Sequence, residues 1–216
     1  MRVALVLAVL LALAVAAFFL WRGSGGASGS FGGNVEALPY KSDKPIVKFA
    51  KAEQVTDPAR FDYFAELETS KGRIRIDLFE NEAPITVNSF VFLALHRYFE
   101  GVVFHRVIPG FVAQTGDPTG TGMGGPGYQF GLEVTPKLNY DKKGLLGMAR
   151  TMDPNSNGSQ FFITYSPTPN LNQQYTIFGQ VVEGMEVVER IAPTEGPGAS
   201  RERDKIISVK IFARSK

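Results

Sequence analysis

The feature that most constrains this chain is a strict polar–apolar alternation. Arg73-Ile74-Arg75-Ile76-Asp77-Leu78 changes character at every residue. A period of two fits a strand with one buried face. Lys71-Gly72 ahead of it reads as a hairpin turn, and Phe61-Asp62-Tyr63-Phe64-Ala65-Glu66-Leu67-Glu68 has strand character on the other side of that turn. Pro84 opens a helical stretch in which Val87, Phe90, Val91, Ala94 and Leu95 fall at helical spacing. Further strands are expected over residues 145–150, 159–164, 175–182 and 204–212, with a short helix over 185–191. With two more strands in the hairpin below, the count is about eight strands and two helices. Such a chain is mainly β. The expected fold is a closed eight-stranded antiparallel β-barrel capped by two helices, since closure removes exposed edges.

The chemistry concentrates in Phe104-His105-Arg106-Val107-Ile108-Pro109-Gly110-Phe111-Val112-Ala113-Gln114-Thr115-Gly116-Asp117. Pro109-Gly110 is a turn signal between two short strands. Alternation puts Val112 and Gln114 on one face, and the preceding strand brings Arg106 alongside. A guanidinium and a primary amide then converge on an apolar surface, a combination suited to an extended polypeptide. The competing reading makes Arg106 and Gln114 ordinary solvated strand residues.

Composition removes several alternatives. The 216 residues include no Cys, which excludes disulfides, thiolate catalysis and thiol-bound metals. With two His, His96 and His105, a His-rich metal site is excluded as well. His96 reads as a rim or structural residue on the helix, and His105 as a hydrogen-bonded structural residue. A net charge of +2 gives no argument for nucleic acid as a partner. Residues 116–127 hold six Gly and two Pro, but no Lys follows until Lys137. A phosphate-binding loop needs that Lys at the start of a helix, so the stretch reads as a compact surface excursion.

Residues 3–20 are uncharged and almost wholly apolar, flanked by Arg2 and by Trp21-Arg22. As a helix, residues 3–21 would span roughly 28 Å at 1.5 Å per residue, close to the roughly 30 Å of a bilayer core. Residues 1–22 are therefore either a transmembrane anchor or a cleaved signal. The apolar run exceeds the usual signal core, which favours the anchor. The expectation is a membrane partner through residues 3–21, with the amino terminus inside and the domain outside; secretion after cleavage at a site such as Gly25-Gly26-Ala27 is the alternative. Residues 23–33 are Gly/Ser-rich and read as a tether. Residues 34–60 carry three Pro and a small apolar cluster, Ile46, Val47 and Phe49, and either pack on the domain or act as a spacer. They are taken with the tether as a linker over 23–60, leaving 61–216 as the folded domain.

The hairpin sequence resembles the signature of the cyclophilins, the cyclosporin-binding peptidyl-prolyl cis/trans isomerases. Asn157-Gly158-Ser159-Gln160-Phe161-Phe162-Ile163-Thr164 is similar to that family's second signature, and Gly144-Leu145-Leu146-Gly147-Met148-Ala149 and Ile177-Phe178-Gly179-Gln180-Val181 match too. The resemblance runs from Phe61 to about Phe212. It implies an eight-stranded barrel with two capping helices and a groove on the outside. It makes Arg106 the catalytic arginine and gives Gln114 the substrate backbone. Phe111, Val112, Phe162 and Leu171 would form a proline pocket with Tyr175 at its edge, and Ala149, Arg150 and Gln160 would line the adjoining groove. Val112, Arg150 and Tyr175 replace a common Met, Asn and His of the family. Asn170 stands where cyclosporin-sensitive members carry Trp, which implies weak drug binding.

The implied reaction breaks no bond. Rotation about a peptide bond is opposed by about 18–20 kcal/mol of amide resonance, so no nucleophile, metal or cofactor is expected. The expected partners are proline-containing polypeptides, with the protein a monomer assisting the folding of exported chains. A second reading is a module of the same fold that holds Pro-containing segments with little turnover.

Overall fold

The computed structural model describes residue 31, residues 34–196 and residues 198–216. The expected membrane segment, residues 3–21, lies outside them. No helix among the described residues is long and apolar enough to cross a membrane.

Among the described residues nine strands form one sheet. They are β1 (Glu36–Ala37), β2 (Phe61–Thr69), β3 (Gly72–Leu78), β4 (Arg106–Ile108), β5 (Val112–Thr115), β6 (Leu145–Met148), β7 (Phe161–Thr164), β8 (Ile177–Glu183) and β9 (Ile206–Ser215). Their order is β1-β9-β2-β3-β8-β6-β7-β5-β4, and every neighbouring pair is antiparallel. Among the described residues two α-helices accompany them, α1 (Pro84–Leu95) and α2 (Met185–Glu189), with a 3-10 turn at Pro169–Leu171. The sheet curls far enough to bring the segment before β4 onto the start of β9: Phe104 N–H donates to Asp204 O at 2.8 Å, and Ile206 N–H to Val102 O at 2.9 Å.

Alternation sorts the strands into two apolar faces. Ile74, Ile76, Val107, Ala113, Leu146, Met148, Phe161, Ile163 and Phe178 join the main core, together with α1 and α2. Their immediate neighbours Val112, Leu145, Phe162 and Ile177 point the other way into a second, smaller cluster. A sheet apolar on both faces needs cover on both; here the outer face of β5, β6 and β7 carries the smaller cluster.

Helix α1 begins at Pro84, which fits the first turn because its missing N–H would have no partner there. No side chain of its own caps it. Glu133 does so from a distant loop, accepting from Ile85 N–H at 3.0 Å and Thr86 N–H at 2.7 Å. A carboxylate at a helix start also suits the helix dipole.

The compact unit begins at Asn34, not at Phe61 where the sequence placed the end of a linker. Residues 34–60 lie on the folded domain. Glu36 and Ala37 pair with Ala213 and Phe212, which supplies the unexpected ninth strand. Lys41 N–H donates to Leu95 O at 2.7 Å, and Phe49 N–H to Pro126 O at 2.7 Å. The Phe49 ring packs edge-on against Phe92 at 4.8 Å and His96 at 5.1 Å. Asn88 of α1 accepts from Val55 N–H at 2.8 Å and Thr56 N–H at 3.1 Å, and donates to Glu53 O at 3.0 Å. Of the two readings open for this segment, a packed strap is the one observed.

Candidate active site

The β4–β5 hairpin turns at Pro109-Gly110, with Gly110 at a positive φ of 76°. The register places Arg106 directly opposite Gln114, and Gln114 opposite Phe162 on β7. Phe162 in turn faces Gly147 on β6. Arg106, Gln114, Phe162 and Gly147 thus form one row across four strands, all on the outer face. Cross-strand neighbours stand about 4.5–5.5 Å apart at Cβ, so the side chains of Arg106, Gln114 and Phe162 leave the sheet side by side.

Below this row lies the smaller apolar cluster. Val112, Phe162 and Leu171 are buried in it, and Phe111, Ala149 and Tyr175 pack on its rim, half-buried. Phe162 stacks on Tyr140 at 6.0 Å and meets Tyr175 edge-on at 5.9 Å. Gly147 is required beneath it. A Cβ there would overlap the Phe162 ring and the Tyr140 hydroxyl, so Gly lets the ring lie against the strand backbone. Tyr140 is fully buried, and burial raises its phenol well above the usual value.

Beside the apolar cluster runs a groove of about 490 Å³, lined by Gln114, Ala149, Arg150 and Gln160 on one side and by the Gly-rich loop on the other. Ala149 belongs to both regions. Gln114 donates to the Gln160 side chain at 3.1 Å, and Gln160 donates to Gly122 O and Gly124 O, both at 2.9 Å. The amide that faces Arg106 is therefore tied to the loop through one intermediary. Arg150 sits 5.0 Å over the Tyr175 ring and donates to Gln174 O, Thr151 O and Met152 O. The sequence-derived site residues Arg106, Phe111, Val112, Gln114, Ala149, Arg150, Gln160, Phe162, Leu171 and Tyr175 are thus brought together on one outer face.

The Gly-rich loop is organised on Asp117, a fully buried carboxylate. It accepts from the N–H groups of Thr119, Thr121, Gly122 and Gly124 at 2.6–3.1 Å. Burial by itself would raise its pKa, but these donors outweigh it and hold the carboxyl at about 2. Donors that a phosphate would need are already taken by the loop's own anion, which agrees with the compact excursion expected from sequence.

Several participants were missed from sequence. Glu195 Oε1 lies 3.3 Å from Arg106 Nε. The chain around it is fixed to β4, where Thr194 N–H donates to Val107 O at 3.0 Å and the Thr194 hydroxyl accepts from Val107 N–H at 2.8 Å. The pair engages the guanidinium through its Nε. Tyr140, Leu145 and Ile177 complete the apolar cluster. An Asn-Tyr pair in a loop carries no sequence signal for such a place, and a lone Glu in a Gly/Pro-rich stretch carries none either. His105 is corrected in detail. Both its ring nitrogens are buried without a hydrogen bond of good geometry among the described residues, and burial pushes its pKa down. His96 does cap the end of α1, its Nδ1 2.8 Å from Phe92 O. Among the described residues no three His, Asp or Glu side chains converge as metal ligands would.

A β-sheet with an apolar pocket on its outer face, an arginine opposite an amide beside that pocket, and no nucleophile among them is equipped to hold a peptide and reshape it. Residues 64–211 match the family described as Cyclophilin type peptidyl-prolyl cis-trans isomerase/CLD. Peptidyl-prolyl cis-trans isomerase A of Mycobacterium tuberculosis is 45% identical over 175 residues, covering 73% of this chain and 96% of that protein. Peptidyl-prolyl cis-trans isomerase ppi1 of Schizosaccharomyces pombe is 45% identical over 151 residues, 68% of this chain and 97% of the relative. Among solved structures, a cyclophilin type peptidyl-prolyl cis-trans isomerase of Cryptosporidium parvum superposes with a TM-score of 0.65 at 37% identity, covering 69% of this chain and 97% of that one. The same protein solved in the presence of the dipeptide Ala-Pro gives a TM-score of 0.64 at 38% identity, over 68% and 96% of the two chains. The chain belongs to the cyclophilin-type peptidyl-prolyl cis-trans isomerases.

Proposed function

We propose that this enzyme turns X-Pro bonds by stabilising the twisted amide with Arg106 while Gln114 holds the substrate backbone. The observation that carries the reading is the register of Arg106 opposite Gln114 beside the Phe162 pocket. X-Pro bonds populate both isomers but exchange over tens to hundreds of seconds. Catalysis needs only a site that favours the twisted state over both planar ones.

In that state the prolyl nitrogen becomes pyramidal and regains its lone pair. A guanidinium N–H aimed at it is then worth more than in the planar ground state. A guanidinium is not deprotonated in proteins, so the donor is available throughout the rotation. The pocket of Phe111, Val112, Phe162 and Leu171 takes the proline ring, with Tyr175 at its edge, and its apolar walls strengthen the Arg contact. Gln114, steadied by Gln160, anchors one side of the bond so that rotation occurs on the other. The Ala-Pro dipeptide with the Cryptosporidium relative supports proline-containing peptides as the substrate class.

The hydrogen bonds joining residues 102–104 to residues 204–206 support a closed eight-stranded barrel, with β1 outside the ring. The apolar run over residues 3–21 supports attachment to a membrane with the domain on the outer side, where the clients would be exported chains. Protease treatment of intact cells tests this: the domain is expected to be cut, and a protected domain would refute the orientation.

The test of the chemistry is Arg106→Ala in a proline-peptide isomerisation assay. Loss of the donor is expected to lower kcat/KM by about 100-fold with the fold intact by circular dichroism. Full activity in a folded variant would remove Arg106 from the mechanism. A protein that binds the peptide but never accelerates exchange would instead be a holding module.

A further inference from the structure

The groove beside the proline pocket is built partly by the strap that precedes the matched family region. We infer that this groove takes the carboxylate side chain of an Asp or Glu lying within a few residues of the isomerised proline, and that Lys48 sets the preference. The inference rests on the isomerase reading and specifies its substrates.

Two cations line the groove, Lys48 and Arg150, and no Asp or Glu does. Both are held in place by neutral groups. Lys48 Nζ donates to Gly125 O at 3.0 Å. Arg150 donates to the carbonyls of Gln174, Thr151 and Met152. Carbonyl oxygens orient these cations without cancelling their charge. The Gly-rich loop's own carboxylate, Asp117, is buried and occupied by the loop's N–H groups. Around the two cations the lining offers the amides of Gln114 and Gln129, which can solvate an anion but cannot neutralise it, while the Gln160 amide and the Ser156 hydroxyl donate to carbonyls of the protein. A cleft lined by one sign of charge attracts the opposite sign. At about 490 Å³ it is roomy enough for a carboxylate side chain with its water.

Lys48 is fixed there by the backbone around it. Phe49 N–H donates to Pro126 O at 2.7 Å, and a Cβ on Gly127 would run into Phe49 O, so strap and loop pack backbone to backbone. The Phe49 ring locked between Phe92 and His96 holds the other side. Lys48 lies before residue 64, where the family match starts, so the preference belongs to this chain's strap and not to the matched domain.

The test uses matched proline tetrapeptides that differ only by Glu or Gln at each position flanking the proline, with kcat/KM and Kd measured for each. An exposed charge pair contributes up to about 1 kcal/mol, so the Glu/Gln ratio at one position is expected at about 2 to 5 in low salt, falling as salt screens it. Lys48→Gln should bring the ratio toward one, and Lys48→Glu should invert it. Lys51→Gln, on the same strap but outside the groove lining, should leave the ratio and the activity as they were. A ratio of one at every position in the native protein, or a ratio untouched by Lys48→Gln in a protein with an unchanged melting curve, would overturn the inference. If neither peptide is turned over, the isomerase reading fails, and the same ratios in Kd still decide the role of Lys48.

Discussion

Replacing Gly147 by Ala tests whether the floor of the proline pocket is set by backbone contact. The new methyl would fall on the Phe162 ring and the Tyr140 hydroxyl, closer than van der Waals contact allows. The strand cannot yield, because β6 is paired on both sides, Gly147 facing Phe162 on β7 and Ile177 on β8. Tyr140 cannot yield either, being fully buried with its hydroxyl 3.5 Å from both Tyr175 O and Thr176 O. Phe162 is confined between Tyr140 and Tyr175. The remaining relief is for its ring to lift into the pocket. Overpacking of this kind costs about 1–3 kcal/mol, and the pinned surroundings place Gly147→Ala near the upper end, about 3 kcal/mol. For a domain of this size that is a fall in Tm of about 6–12 °C. A lifted ring also occupies the space meant for proline, so KM for a proline peptide should rise severalfold, more than kcat falls. Thermal unfolding followed by circular dichroism and steady-state isomerisation read the two effects. An unchanged Tm together with an unchanged KM would refute the contact as the pocket's floor.

Two further outcomes follow from the same geometry. Asn88→Ala removes the acceptor shared by Val55 and Thr56 and the donor to Glu53, leaving amides next to the buried Thr56 without partners; a loss of about 2–3 kcal/mol and faster hydrogen exchange at Val55 and Thr56 are expected, and unchanged protection of those amides would show that the strap does not depend on α1. Asp117 has a folded pKa of about 2 against an unfolded 3.8, so its stabilisation is complete above the unfolded value and is lost as pH falls through about 4 toward about 2. The shift corresponds to about 2 kcal/mol, and denaturant unfolding across that window should show this slope in the native protein and lose it in Asp117→Asn; an equal slope in both would place the acid sensitivity elsewhere.

Much of the site was legible because its residues lie in short runs with fixed local geometry. Alternation alone puts Val112 with Gln114 and separates Phe161 from Phe162, and one tight turn at Pro109-Gly110 sets Arg106 opposite Gln114. Motif resemblance then joined the hairpin to Gln160 and Phe162. The strap was only half legible. Residues 34–60 have no sustained period, and their partners lie far along the chain, Ala37 against Phe212 and Phe49 against Pro126.

The sequence by itself determined strands β2 to β9, the hairpin and the row of chemistry on its outer face, because a period of two is a property of neighbouring residues. Only the tertiary structure decided that Glu195 steadies Arg106, that Tyr140 and Gly147 bracket Phe162, and that Lys48 reaches the groove. Each of those contacts joins segments whose meeting depends on how the whole sheet curls and where the loops land, and no local pattern encodes that.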